Sequence, residues 1–321
     1  MSQREGTAIG LISNPNSGHN RDQFARVEAL IAVQPAIQHV VTRCPADIAP
    51  ALEALSRRQV EVLAINGGDG TSAAILGRML EQRLFAKPPL IALLPGGTAN
   101  MNAGDVGIRG RLIPAVRRFC SWCEDPQNTQ GRVVERPLLR VHAGGASHYG
   151  MFLGAGAVMQ GTEYTHRKIH ARGLRDEFSL ALGTARTIWG VLRDDPRFNQ
   201  SVSISLRLDD DVESATHDTL ILAVSTLHRL FFGMRPFWGT GPGRLRMTLL
   251  EQHCTRFLRT FISIARGRPN RNAVPDSGYI SHNADRIHLS MEGGLNLDGE
   301  IIQAGGAVSI DATESLRFLR L

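Results

Sequence analysis

Along the first 130 positions, short unbroken apolar runs alternate with stretches whose apolar residues fall on one helical face. Residues 7–13 (TAIGLIS), 37–41, 60–65 (VEVLAI) and 89–94 (PLIALL) have the length and composition of strands. Between them, residues 21–33 place Phe24, Val27, Leu30 and Ile31 at helical spacing, and residues 45–57 do the same with Ile48, Leu52 and Leu55. Residues 71–84 and 113–123 complete the series of predicted helices. Apolar strands alternating with helices predict a parallel sheet covered on both faces. Ligands in such sheets sit at the carboxyl ends of the strands.

The rhythm changes near residue 131. Residues 201–208 (SVSISLRL) alternate with period two, the pattern of a half-buried antiparallel strand, and an Asp-rich turn at 209–211 leads into HDTLILAVS. Further strands are expected at 245–250, 278–281, 285–290, 295–297, 307–310 and 316–321, with helices at 162–192 and 253–266. The expected fold is therefore an α/β domain with a parallel sheet over residues 1–130. A mainly antiparallel β-sandwich with inserted helices follows over 131–321. The boundary is placed in the polar stretch 126–132.

Composition narrows the function. An apolar share of 42 % and a charged share of 21 % fit a globular protein, and no apolar run reaches the roughly 18 residues of a membrane span. The first residues (MSQREG) lack a signal-peptide core, so a cytoplasmic location is expected, with contact at the inner membrane face. A net charge of +6, with eleven histidines uncounted, favours anionic partners. The basic residues are spread along the chain, which argues against nucleic acid. Four cysteines do not make a disulfide framework, and the Cys120-x-x-Cys123 pair lacks the second half of a zinc site. Packing on one helix face is expected for both.

Three glycine-rich turns fall at strand ends: NPNSG at 14–18, GGDGT at 67–71 and PGGTAN at 95–100. Glycine lets main-chain N–H groups approach an anion, and the helix N-terminus that follows completes a phosphate nest. Thr71 and Thr98 add hydroxyl donors. The chain has no GxxxxGK[ST] P-loop, and no GxGxxG follows the first strand. Asp69, a carboxylate inside a phosphate loop, implies a divalent cation between it and the anion, or else a helix-capping role.

The ordered set NPNSG, GGDGT and PGGTAN, with LNLDGE at 295–300, resembles the diacylglycerol kinase catalytic-domain family, which includes sphingosine kinases and is related to NAD kinases. The resemblance implies that Asn14, Pro15, Asn16, Ser17, Gly18 and Thr42 bind ATP. It implies the same for Gly67, Gly68, Asp69, Gly70, Thr71, Ser72, Ala73, Gly97, Thr98 and Asn100. It further implies that Asp69 reaches Mg²⁺ through water and that Asp298, with Glu300 beside it, takes the proton from a lipid hydroxyl. The acceptor would be a lipid at a membrane surface, presented in a cleft between the domains. A homodimer is compatible with the sequence. The expected activity is an ATP-dependent lipid kinase. A kinase of a soluble acceptor such as NAD and a non-catalytic nucleotide or lipid sensor are the alternatives.

Two departures from the family stand out. Met101 follows Asn100 where many relatives have aspartate, leaving Asp105 or Glu135 as substitutes. Residues 238–247 (WGTGPGRLRM) lack the carboxylates of a structural Mg²⁺ loop, so none is expected there. Two further segments face either lipid or the protein's own surroundings. The basic stretch 163–177, with His166, Arg167, Lys168, His170, Arg172 and Arg175, reads as a cationic helix near the nucleotide or a membrane, or as a solvated helix. Residues 228–238 (HRLFFGMRPFW) read as a loop dipping into a lipid interface, or as core of the second domain.

Overall fold

The four apolar runs near the start of the chain become parallel strands in the computed structural model, which describes residues 8–126, 130–156 and 201–321. They are β1 (Ile9–Ser13), β2 (Ile37–Val41), β3 (Val62–Gly67) and β4 (Leu90–Pro95). Every residue of β1 and β3 is buried, as strands covered on both faces require. The sheet runs β2-β1-β3-β4, so its order reverses between β1 and β3. That reversal opens a crevice at their carboxyl ends, the place where open α/β sheets bind ligands.

The helices are α1 (Asn20–Ala32), α2 (Ile48–Arg57), α3 (Asp69–Glu81), α4 (Met101–Val106) and α5 (Leu112–Glu124). Helix α5 buries Ile113, Val116 and Phe119 against the sheet core that holds Ala92 and Leu94. Cys120 and Cys123 lie on it as packing groups. Burial pushes their thiols up to about 11 and about 12, so both stay protonated.

Two compact units emerge: residues up to Arg136 together with Ser315–Leu321, and Pro137–Glu314. The division differs from the expected one in two places. The first unit extends through β5 (Arg132–Arg136), and the last strand, β17 (Leu316–Arg320), belongs to the first unit's sheet rather than to the second domain. It runs parallel to β4 and antiparallel to β5. Leu316, Phe318 and Leu319 are all buried, which is what a strand inside a covered sheet needs. Nothing in the six-residue pattern could say which sheet it would join.

The second unit pairs its strands antiparallel throughout. They are β6 (Leu139–Ala143), β7 (Ala146–Gly150), β8 (Phe152–Gly156), β9 (Val202–Leu208), β10 (Ala215–Ser225) and β11 (Leu245–Glu251). The set continues with β12 (Tyr279–Ala284), β13 (Arg286–Met291), β14 (Gly294–Leu297), β15 (Glu300–Gln303) and β16 (Gly306–Ala312). Their order is β15-β14-β8-β10-β9-β13-β16-β6-β7, with β11 between β10 and β12. The long β10 pairs β9 with its first half, and β8 and β11 with its second, through a register shift between Thr219 and Ile221. Ile204, Leu206, Leu222, Val224 and Met247 lie in its apolar core. The period-two reading of β9 holds: Ile204 and Leu206 point inward.

Helix α6 (Phe257–Ala265) lies within the expected 253–266 stretch. The helix expected at 162–192 and the basic segment 163–177 fall outside the described residues. No helix among the described residues is long and apolar enough to cross a membrane.

Candidate active site

Each of the three motifs leaves the carboxyl end of a parallel strand, and hydrogen bonds stitch them together. The Asn14 N–H donates to the Asn66 carbonyl at 2.9 Å, and its Nδ2 donates to Thr71 Oγ1 at 3.0 Å. Ser17 Oγ lies 3.3 Å from Thr71 Oγ1 and accepts the Gly68 N–H at 3.3 Å. Asn14 Oδ1 also accepts the Asn16 N–H at 2.9 Å, closing a local turn over buried Pro15. At the end of β2, buried Thr42 donates its N–H to the Ser13 carbonyl at 2.9 Å, which brings it beside the first turn.

Sequence reasoning passed over Asn20. Fully buried, it donates from Nδ2 to the carbonyls of Asn14 (2.7 Å) and Asn66 (3.3 Å), and from its N–H to the Gly96 carbonyl at 3.2 Å. It therefore ties all three turns. An amide side chain in the first turn of a helix was its only signal.

The turns meet main chain on main chain. A Cβ at Gly18 would stand 2.6 Å from the Thr98 nitrogen, and one at Gly97 would stand 2.3 Å from Gly68 Cα. Only glycine fits at that distance. Asn100 closes the third turn in the left-handed region (φ 50°), which asparagine tolerates better than most residues. Its side chain clasps Gly97 at both ends, accepting the N–H and donating to the carbonyl, each at 2.8 Å.

Helix α3 starts at this junction with Gly68 as an N-cap that has no side chain to offer. Its first intrahelical bond is Ser72 N–H to the Gly68 carbonyl at 3.0 Å, so the amides of Asp69, Gly70 and Thr71 precede the helical ladder. Three leading amides at the positive end of a 13-residue helix suit a phosphate. Ser72 instead turns its hydroxyl back to the Gly68 and Asp69 carbonyls, and Ala73 is buried behind it.

Asp69 is buried, and both its oxygens accept main-chain N–H groups at the start of α4: Oδ2 from Met101 at 3.1 Å and Oδ1 from Asn102 at 2.9 Å. It caps a helix, as one reading of the sequence had it, but that helix is α4 rather than its own. Burial pushes its carboxyl above the ordinary range, and the two amides act the other way. The candidate substitutes for a carboxylate at position 101 are otherwise placed. Asp105 faces Arg136 Nε at 3.8 Å, and Glu135 is exposed on β5.

In the second unit, Asp298 repeats this arrangement. It is buried, with Oδ2 accepting the Met151 N–H at 2.8 Å and Oδ1 that of Phe152 at 3.1 Å. Its own N–H donates to the Phe152 carbonyl at 2.9 Å. Asp298 and Gly299 form the tip of the β14–β15 hairpin, both at positive φ (49° and 96°), as an Asp-Gly turn demands. Glu300 follows with its side chain exposed. Surrounding protein raises its carboxyl, and His148 acts the other way. In residues 238–247, Asn283 Nδ2 holds the carbonyls of Gly239 (3.0 Å) and Gly241 (2.8 Å), so a side-chain amide organises that loop.

The residues present fit a nucleotide triphosphate, given the leading amides of α3 and the hydroxyl-bearing turns around them. They fit Mg²⁺ only as an ion carried by phosphate oxygens. Among the described residues no three His, Cys, Asp or Glu side chains gather. A carboxylate has about four acceptor positions, of which Asp69 spends two on α4, so a water-bridged contact remains open.

Residues 8–126 match the family described as diacylglycerol kinase catalytic domain. No curated protein matches the chain. Among solved structures, a diacylglycerol kinase from Bacillus anthracis strain Sterne superposes with a TM-score of 0.64 at 13 % identity, covering 98 % of this chain and 97 % of that one. A second protein of the same strain, provisionally classed as a diacylglycerol kinase, gives 0.67 at 15 % identity over 98 % of both chains. At such identities the likeness is one of fold. The family match spans all three turns, so in residues 8–126 this chain is similar to the diacylglycerol kinase catalytic domain.

Proposed function

We propose that the protein is an ATP-dependent lipid kinase that moves the γ-phosphate of ATP to the hydroxyl of a diacylglycerol- or sphingoid-type lipid. The observation that carries this reading is the convergence of three glycine-rich turns, stitched by Asn14, Ser17, Asn20 and Thr71, in a domain of a lipid kinase family. Phosphoryl transfer asks a protein for positioning and charge neutralisation more than for covalent chemistry. The amides of Asp69, Gly70 and Thr71, with the Ser17 and Thr98 hydroxyls, hold and orient the phosphates. Mg²⁺ carried by those phosphates would supply further neutralisation, and Asp69 is the residue that would hold it.

Asp298 accepts the proton of the acceptor hydroxyl. As the new O–P bond forms, the bond from the γ-phosphorus to its bridging oxygen breaks, and ADP leaves with the electron pair. Glu300, two residues on, is placed to relay or hold the proton. A positioned base of this kind contributes about 10²–10⁴ in rate.

The engagement of both Asp69 and Asp298 with main-chain amides favours a second reading, a nucleotide or lipid sensor without turnover. Radiolabelled ATP offered with a lipid extract, and separately with NAD, discriminates the two readings and tests the soluble acceptor. Labelled lipid product is expected. Asp298→Asn is expected to lower its formation by more than about 10²-fold. ATP affinity should stay near that of the parent, while the melting temperature falls, because an Asn side chain can accept from only one of the Met151 and Phe152 N–H groups. A parent that labels no lipid would overturn the kinase reading, and an Asp298→Asn protein of parental activity would remove Asp298 from the chemistry.

A further inference from the structure

Helix α6 carries apolar residues on two sides. Thr260 and Ile264 are buried, and Ile264 packs beside Leu250, Ala273 and Tyr279 together with Phe257 and Phe261, whose ring centroids lie 5.4 Å apart. One such stripe is all that a surface helix needs. Yet Leu258 and Ile262, one turn apart, remain 43 % and 40 % exposed. Two neighbouring segments add to them. The Arg235 N–H donates to the Ala265 carbonyl at 2.9 Å, fastening the segment after the Phe231–Gly233 turn to the end of the helix. At the tip of that turn Phe232 is 59 % exposed, held at φ 55°, where a bulky residue is strained. On the other flank, Asn270 Nδ2 reaches Thr260 Oγ1 at 3.4 Å, in the loop that ends in exposed Val274.

The stretch that carries these residues is strongly basic, although one of its arginines, Arg244, pairs with Asp285 at 3.2 Å. Residues 226–274 hold nine arginines and one carboxylate, a net +8 within a chain whose total is +6. The one carboxylate, Glu251, is engaged by His217 at 2.8 Å. Arg256, Arg259, Arg266, Arg268 and Arg271 are exposed, and none of them makes an ion pair with a described residue. Asp276, in the turn after Val274, is the nearest opposing charge in sequence.

We propose that this face of the second unit, with Leu258, Ile262, Phe232 and Val274 at its centre and the arginines around them, docks on an anionic lipid bilayer. Apolar side chains at helical spacing enter the acyl boundary of a bilayer, while arginine stems lie along it and extend their heads to lipid phosphates. Each arginine brought to such a surface strengthens binding by about fivefold. A nucleic acid would use the arginines and leave the exposed leucine, isoleucine and phenylalanine without a role. The inference deepens the lipid-kinase reading, since it names the surface on which the acceptor would be met, but its observations do not depend on catalysis.

The test is flotation of the full chain with phosphatidylcholine vesicles, with and without phosphatidylglycerol. Binding is expected to the mixed vesicles alone. Leu258→Glu with Ile262→Glu, both at exposed positions, is expected to cut partitioning by about tenfold or more, with an unchanged melting temperature. Arg259→Glu with Arg266→Glu is expected to cut it by at least about tenfold and to flatten its salt dependence. Phosphorylation of a short-chain lipid dispersed as monomers is expected to be the same for parent and variants. That arm separates the two readings: a parent that docks but phosphorylates nothing fails only as a kinase, and one that phosphorylates but does not dock overturns only this proposal. Equal binding to neutral vesicles would overturn it. So would unchanged partitioning of the Leu258/Ile262 variant, or a solution dimer that this variant dissociates while the parent ignores vesicles.

Discussion

Gly97 stands where one methyl group would force two turns apart. Its hypothetical Cβ lies 2.3 Å from Gly68 Cα, main chain that cannot swing away. Gly97→Ala is therefore expected to cost about 1–3 kcal/mol and to weaken ATP binding. Gly104, seven residues on and inside α4, would meet nothing within 4 Å. Gly104→Ala is expected to stabilise by about 0.5–1 kcal/mol with ATP affinity unchanged. Urea melts and nucleotide titrations of both proteins check the contrast, and equal effects would mean that the turns are not in tight contact. At this scale the glycines and Asp-Gly turns were legible in the sequence, because backbone sterics dictate them locally. The partners of Asp69 and Asp298 were not. Met101 and Asn102 lie more than 30 residues from Asp69, and Met151 and Phe152 nearly 150 from Asp298. Which amides a buried carboxylate will meet is settled by topology, and a local window carries no trace of it.

Elements with a full apolar run or a helical stripe were legible to within a few residues, as β1 to β4 and α5 show. Strand β5 was missed because its side chains are largely exposed, and α4 because six residues are too few for a period. The sheet membership of β17 could not be read at all, since its pairing with β4 spans more than 200 residues. Among the described residues, that strand is what links β4 to β5 in the sheet order. Phe318, fully buried, sits opposite Ile91 in it. Phe318→Ala is expected to cost about 3–5 kcal/mol. Hydrogen exchange should locate the loss: peptides covering 90–95 and 132–136 should lose protection, while those of β9 and β13 should keep it. Uniform loss across both units would contradict the assignment of β17.

In the whole molecule, the second unit is one continuous stretch, Pro137–Glu314, set between two parts of the first. Every pairing of β6 to β16 stays inside it, and so does its apolar core. A chain of residues 137–314 alone is therefore expected to melt cooperatively. A chain of 1–136 should do so only when a peptide of 315–321 is added. Calorimetry of the two pieces decides the matter, and cooperative melting of 1–136 by itself would refute the dependence. The return of β17 also sets an order of events during synthesis. Until residues 316–320 have been made, β4 keeps an open edge and β5 lacks its neighbour in the sheet. The three glycine-rich turns, proposed to hold ATP, thus sit on a sheet completed by a segment that is translated after the whole second unit.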